Sequence, residues 1–391
     1  MPETWARISE GSDFPPENLP FGVARIGDDA PRVVSRIGDH VIDLAAVGIA
    51  PDLTAEPTLN ALMASGRDVR AEISSLLAGA PREDALHPVG ECELLLPFEV
   101  ADYVDSYSSI HHATNLGKIL RPDSEPLMPN WRHIPVAYHG RAGSVIVSGT
   151  PIARPIGMLA GADGAAPSSG PSRSLDIELE LGTVIGRGGA RIAPDEADAH
   201  VFGFVLLNDW SARDIQAYEY QPLGPNLGKS FATTISPWVV TIDALRPFLV
   251  EAPEQDPPVD AYLRAARPWG LDLTLVVELN GEPICTTGFA GMYWTFAQQV
   301  AHMTVNGASA RTGDLIGSGT VSGPNPGERG SLIEITWRGR DPITLPDGST
   351  RTFLEDGDTV TLRGWAGGNG RPRIGFGEAT GAITPAHPPA F

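Results

Sequence analysis

Leu175-Asp176-Ile177-Glu178-Leu179-Glu180-Leu181 alternates apolar and acidic residues with a period of two. On a β-strand that period sends Asp176, Glu178 and Glu180 to one face and the aliphatic residues to the other. Carboxylates stacked at this spacing repel one another, and two compensators can relieve them. One is solvent. The other is a hard cation, because Ca²⁺ and Mg²⁺ take oxygen ligands from Asp and Glu. Other reactive side chains stand in short, defined stretches. Asp102 to His112 gathers acids, tyrosines and the adjacent pair His111 and His112. Asp209 closes the apolar run Phe202 to Leu207 and is either a helix N-cap or a further carboxylate for a cation. Lys229 lies in the glycine-bounded loop Gly224 to Ser230. Glu334, within Ser331 to Trp337, faces away from Ile333 and Ile335 if that segment is extended.

These groups need a scaffold, and the composition says what kind. Gly 44 and Pro 36 in 391 residues favour many turns and short strands over long helices. A hydrophobic fraction of 42% supports a sizeable core. A net charge of −20 without a Lys/Arg-rich run excludes nucleic acid and anionic membrane as partners held by the bulk field. Cys92 and Cys285 make neither a disulfide framework nor a metal-ligand spacing, which fits a reducing, cytoplasmic compartment. Met1 to Trp5 lacks the basic and apolar regions of a signal peptide, and no apolar run is long enough to span a membrane.

Residues 1–95 read as a small accessory unit. Strands are expected at 21–27, 33–37 and 40–44, with Gly-Asp turns at 27–28 and 38–39 and helices over 58–65 and 69–77. They offer few catalytic groups. Residues 96–391 carry the chemistry: strands over 144–147, 175–181, 202–207, 271–279, 331–337 and 359–362, a helix over 293–304, and a helix beginning near Asp209 or Ser211. Residues 122–135 read as a loop, and 160–172, rich in Gly, Ala and Ser, as a mobile one. The class is mostly β with some α.

Familiar motifs fail. Gly224-Pro225-Asn226-Leu227-Gly228-Lys229-Ser230 has three residues between its glycines where a P-loop needs four. Gly375-Phe376-Gly377-Glu378 lacks the third glycine of a dinucleotide fingerprint, and neither a G-x-S-x-G elbow nor an H-E-x-x-H helix is present. Serine and zinc hydrolases lose ground accordingly.

Taken together, the segments resemble the fumarylacetoacetase family over nearly the whole chain. The likeness rests on Asp105-Ser106-Tyr107-Ser108-Ser109, His112-Ala113-Thr114-Asn115, Tyr138-His139-Gly140-Arg141, Leu175 to Glu180, Asn208 to Gln216, Leu223 to Ser230 and Ser318-Gly319-Thr320. The resemblance implies an SH3-like N-terminal barrel (1–95), a C-terminal mixed β-roll (96–391), and a homodimer. It implies hydrolysis of the carbon–carbon bond of 4-fumarylacetoacetate to fumarate and acetoacetate, the last step of tyrosine and phenylalanine catabolism. By the same resemblance Asp105, Glu178, Glu180 and Asp209 match ligands of Ca²⁺ or Mg²⁺, and Lys229 and Thr233 match positions tied to magnesium. His112 matches the proton acceptor, with Glu334 and Arg213 around the acting water. Tyr107, Arg121, Gln216, Tyr220 and Thr320 match substrate contacts, with Tyr138 close by. Asp176 matches no ligand.

The chemistry coheres by itself. A 1,3-diketone cleaved by water needs a base, which His112 can be, and donors for oxyanions, which Lys229, Arg213 and Gln216 can be. A cation can chelate the keto oxygens, and Arg121 with tyrosines suits a terminal carboxylate. The rivals are an acylpyruvate hydrolase, an oxaloacetate decarboxylase or tautomerase, and a non-catalytic Ca²⁺-binding module. His111 is left without a role, because an extended segment would turn adjacent rings to opposite sides.

Overall fold

The computed structural model describes residues 4–80, 82–161 and 165–387; Met1 to Glu3 of the expected leaderless start and 162–164 of the expected mobile loop lie outside them. Near the N-terminus, strands Phe21–Ile26, Arg32–Ile37, His40–Asp43, Leu86–Pro88 and Cys92–Leu95 form one antiparallel sheet, a half-barrel. Its order runs 86–88, 40–43, 32–37, 21–26, 92–95. Helices Asn60–Ser65 and Arg70–Ala78 bury Leu62, Met63, Ile73 and Leu77 against it.

The larger part is a roll of mixed sheets. Its central sheet orders the strands Ala137–His139, Tyr103–Ser106, Leu315–Gly317, Leu179–Ile185, Val201–Asp209, Thr233–Ile235 and Val145–Val147. Val201–Asp209 is nearly all apolar because the sheet is covered on both faces there. A five-stranded sheet, built largely from Leu273–Leu279, Thr359–Gly368 and Arg371–Thr384, packs against it. Leu206 from one sheet and Leu275, Leu362 and Phe376 from the other share the main core.

Several expected elements change shape. The acidic alternation is not one strand: Leu175–Asp176 pairs with Ser211–Ala212, and Leu179–Ile185 enters the central sheet after a break at Ile177–Glu178. Its acids are not solvated either, since Asp176, Glu178 and Glu180 are all buried. Ser331–Trp337 is not a strand. Leu332–Ile335 is a short helix, because the Asp176 carboxylate accepts the backbone N–H groups of Leu332 and Ile333 at 2.7 and 3.0 Å. Neither Asp209 nor Ser211 caps the next helix. It runs Arg213–Glu219 behind Ala212 without a side-chain cap. The helix expected over 293–304 starts at Phe296, where Thr295 and Gln298 form a capping box. Part of the expected loop at 160–172, Ser168–Pro171, pairs as a strand with Ile156–Leu159.

The half-barrel meets the roll closely at Gly22. A Cβ there would lie 2.8 Å from the carbonyl oxygen of Pro237 and from the Trp238 ring. Gly22→Ala should therefore lower stability by about 1–3 kcal/mol, the usual cost of overpacking. A denaturant midpoint unchanged from wild type would show that this approach is not tight.

Candidate active site

Sheet register assembles the acids. Asp105 lies opposite Gly317 in a parallel pair, Gly317 opposite Gly182 two residues from Glu180, and Asp209 opposite Thr233. Four carboxylates from three segments result: oxygens of Asp105, Glu178, Glu180 and Asp209 all lie within 4.8 Å of one another, and all four residues are buried. Gly317 is the floor of this cluster. A Cβ there would come 2.8 Å from Glu180 Oε2 and 3.2 Å from Asp105 Oδ1.

The local cations are too few for these charges. Lys229 Nζ lies 2.5 Å from Glu178 Oε2 and 2.8 Å from Asp209 Oδ2. Arg213 divides itself between Asp176 (2.8 Å) and Glu178 (2.7 Å). Five buried carboxylates thus share two cations, and Asp105 and Glu180 bond to neither. Burial pushes Asp105 well above the usual carboxylate range, and neighbouring Asp209 adds to the rise. Burial does the same to Glu180, followed by Asp105 and Asp209. Burial also raises Asp209, against the pull of Lys229. Glu178 is the exception: burial is outweighed by Lys229 and Arg213, and its carboxyl is held down at about 2.

The donor set fits a hard cation. Asp105 Oδ1 and Glu180 Oε1 are buried without a hydrogen-bond partner, and a buried unpaired acceptor is costly unless something is bound to it. Four carboxylate oxygens suit Ca²⁺ or Mg²⁺ better than a thiol- and imidazole-seeking metal. Thr233 Oγ1, 3.5 Å from Asp209 Oδ1, could add an oxygen. Lys229 could not: burial lowers its affinity for protons, but Asp209 and Glu178 outweigh this and hold the ammonium charged, with no lone pair to give. Its place is that of a counter-charge.

Beside the cluster opens a cleft of about 590 Å³. Asp105, Tyr107, His112, Arg121, Tyr138, Glu178, Arg213, Gln216, Tyr220, Lys229 and Thr320 all line it, which brings most of the sequence-predicted residues to one place. Glu180, Asp209, Thr233 and Glu334 stand behind this wall. Tyr138 reaches back through its hydroxyl to Asp209 Oδ2 at 3.1 Å.

His112 sits in the helix Ile110–Leu120, started by the Ser109 side chain, which accepts the His112 backbone N–H. The segment is helical rather than extended, so adjacent rings diverge by about 100° around the axis instead of pointing oppositely. His112 is buried and His111 half-buried. His112 Nδ1 lies 2.6 Å from Glu334 Oε2. Ser322 and Ser331 also donate to that oxygen, and Asn115 to Oε1. Burial works to raise Glu334, but His112 and these donors outweigh it, so the carboxyl lies below its ordinary value. An ionised Glu334 can only accept, so it orients the ring through Nδ1–H and leaves Nε2 at the other end of the ring.

Donors around the cleft are also unfilled. Arg213 Nη2, Thr320 Oγ1 and Arg121 Nε are buried without partners. Gln216 Oε1 accepts from Arg213 Nη1 at 3.2 Å, which orients the amide. The sequence reading missed the apolar lining of Leu116, Leu120, Val136 and Ile333, the residues Asn115 and Ser322 behind Glu334, the floor Gly317, and Arg338. Only Asn115 carried a signal, through its place in His112-Ala113-Thr114-Asn115.

Residues 103–383 match the sequence pattern of the family described as Fumarylacetoacetate (FAA) hydrolase C-terminal, and residues 17–97 that of Fumarylacetoacetase N-terminal. The fumarylacetoacetase of Caenorhabditis elegans is 46% identical over 418 residues, covering 98% of this chain and 99% of that protein. The human fumarylacetoacetase is 45% identical over 411 residues, covering 97% and 98%. The solved structure of a fumarylacetoacetate hydrolase from Exiguobacterium antarcticum shares the fold, with a TM-score of 0.58 at 18% identity over 94% of this chain and all of that one.

Two predictions follow from the charge imbalance. Raised carboxyls such as Asp105 and Glu180 stabilise the cation-free chain below their unfolded values, and that stability is lost as pH rises through their folded ones. Glu178 runs the other way, its contribution present above the ordinary Glu value and lost as pH falls towards about 2. Added Mg²⁺ or Ca²⁺ should raise the melting temperature, and by more at about pH 8 than at about pH 5. A shift that is absent or independent of pH contradicts this. Gly317→Ala should weaken cation binding in a titration while leaving the far-UV spectrum unchanged; wild-type affinity would show that the floor has room.

Proposed function

The chain belongs to the fumarylacetoacetase family and is a hydrolase of carbon–carbon bonds in ketonic substrates, and from that premise we propose how its own residues act on 4-fumarylacetoacetate. Asp105, Glu178, Glu180 and Asp209 would hold Ca²⁺ or Mg²⁺, with Thr233 near. When bound, the cation supplies Lewis-acid stabilisation of the diketone oxygens. The observation that carries the reading is the base beside those acids: His112, fixed by Glu334 at 2.6 Å, on a cleft that Glu178 and Lys229 also line.

His112 Nε2 takes a proton from water, and the water oxygen bonds to the carbonyl carbon on the fumaryl side. Glu334 holds the ring in the required tautomer and stabilises the imidazolium that forms. The carbon–carbon bond then breaks, its electron pair remaining as the enolate of acetoacetate. The proton that His112 took from water is returned to that carbon, which completes acetoacetate, frees the base and leaves fumarate as the other product. Arg213 and Gln216 donate to the developing oxyanion, the free Nη2 of Arg213 being the strongest support for this role. Lys229 stays charged between Glu178 and Asp209 and adds positive potential at the same edge. Arg121, with Tyr107, Tyr138, Tyr220 and Thr320, binds the substrate and fixes a terminal carboxylate. Burial raises Tyr107, and Glu334 adds to the rise, so its hydroxyl remains a donor at neutral pH.

Among the described residues none before Asp105 lines the cleft, which supports an accessory role for residues 1–95 and a catalytic one for 96–391. The same reading takes the enzyme as a cytoplasmic homodimer that binds no nucleic acid; two free cysteines support the reducing compartment. Among the described residues no helix is long and apolar enough to cross a membrane.

Turnover of 4-fumarylacetoacetate should exceed that of acylpyruvates and oxaloacetate; preference for either alternative would overturn the substrate assignment. His112→Ala should lower kcat by about a hundred- to ten-thousandfold with cation affinity retained. His111→Gln should keep most activity. An active His112→Ala beside an inactive His111→Gln would reverse the roles.

A further inference from the structure

One cationic side chain on the cleft wall has no part in the steps above: Arg338. It is carried by Trp337-Arg338-Gly339, three consecutive residues in the left-handed region at φ 48°, 59° and 86°. Two non-glycine residues in a row with that conformation are uncommon, and such backbone persists only where its surroundings hold it. They do here. The Arg338 backbone N–H donates to the Ile333 carbonyl at 2.8 Å, Gly339 N–H to Thr336 Oγ1 at 3.1 Å, and Asp341 N–H to the Thr336 carbonyl at 2.9 Å. The Trp337 ring packs with Leu116, Ile119 and Ile333, and the guanidinium groups of Arg329 and Arg340 lie 5.1 and 5.8 Å from it. The turn is thus anchored to the same short helix that presents Glu334 to His112.

The anchored turn presents an uncommitted charge. Among the described residues the Arg338 guanidinium bonds no carboxylate and no carbonyl, and stacks on no ring. Arg213 and Lys229, by contrast, are tied to the buried acids. Arg121 makes one bond, to the Pro126 carbonyl, and has no acidic partner. The cleft therefore offers two guanidinium groups that its own acids do not neutralise. On a chain of net charge −20, an anionic ligand is repelled by the bulk field and needs such local charge to enter.

We propose that Arg338 is a specificity-determining residue that binds the substrate carboxylate not taken by Arg121, so that the cleft selects diketo acids with a carboxylate at both ends. This rests on the reading of the site as a 4-fumarylacetoacetate hydrolase, whose substrate has two such groups. A guanidinium fork matches a carboxylate in two parallel hydrogen bonds, and an ammonium does not.

The test is a cycle between residue and ligand. Wild type and Arg338→Gln are each assayed on 4-fumarylacetoacetate and on its two monoamides, one with each terminal carboxylate replaced. Arg338→Gln should raise KM for the diacid by about ten- to a hundredfold, with kcat changed by less than about threefold. For one monoamide the substitution should then cost nothing further, and for the other it should cost the full amount. Equal costs on all three substrates, or a loss confined to kcat, would overturn the assignment. If wild type fails to turn over the diacid itself, the functional reading falls, and this assignment with it.

Discussion

Four buried carboxylates with oxygens within 4.8 Å of one another form the constraint on which the rest of the molecule depends. Desolvated like charges at that spacing cannot all stay ionised without compensation. Lys229 and Arg213 compensate one end of the group, holding Glu178 at about 2. At the other end Asp105 and Glu180 have no cationic partner and carry orphaned oxygens. Those carboxylate oxygens are of the type that a hard cation takes as ligands.

Bringing these acids together is the work of the central sheet. Parallel pairing of Tyr103–Ser106 with Leu315–Gly317 sets Asp105 over a glycine, and antiparallel pairing of the next strands brings Glu180 and Asp209 alongside. The break at Ile177–Glu178 separates duties along one acidic run. Asp176 turns away to hold the helix Leu332–Ile335 and Arg213, while Glu178 and Glu180 turn to Asp105 and Asp209 in the cluster of four acids. The helix held by Asp176 carries Glu334, which lies against His112 Nδ1, and the Arg213 held by the same carboxylate lines the cleft.

Three of the five half-barrel strands and the central strand ending at Asp209 were legible in the sequence because each is a local pattern, whereas Leu86–Pro88 and Cys92–Leu95 were not. What was not legible is tertiary. Ser331 to Trp337 alternates like a strand, but two N–H groups captured by Asp176, 156 residues away, make it a helix. Asp209 has the local context of an N-cap, yet Lys229 and the cluster claim its side chain. Alternation placed three acids on one face without saying whether that face was wet, and the break at Ile177–Glu178 divides them. Most site residues came from resemblance, not from spacing. Gly317, needed only because carboxylates of distant segments lean over it, and Arg338, presented by a turn of unusual backbone conformation, gave no local signal at all.

Asp105, Glu178, Glu180 and Asp209 together make a candidate site for a divalent cation. Anomalous diffraction from crystals soaked in Mn²⁺, a spectroscopically visible substitute for Mg²⁺ and Ca²⁺, tests it directly. One dominant peak is expected, bounded by Asp105, Glu178, Glu180 and Asp209 and lost in Glu178→Ala crystals. An empty cluster in an enzyme that remains fully active after chelation, or a peak confined to other residues, would contradict it.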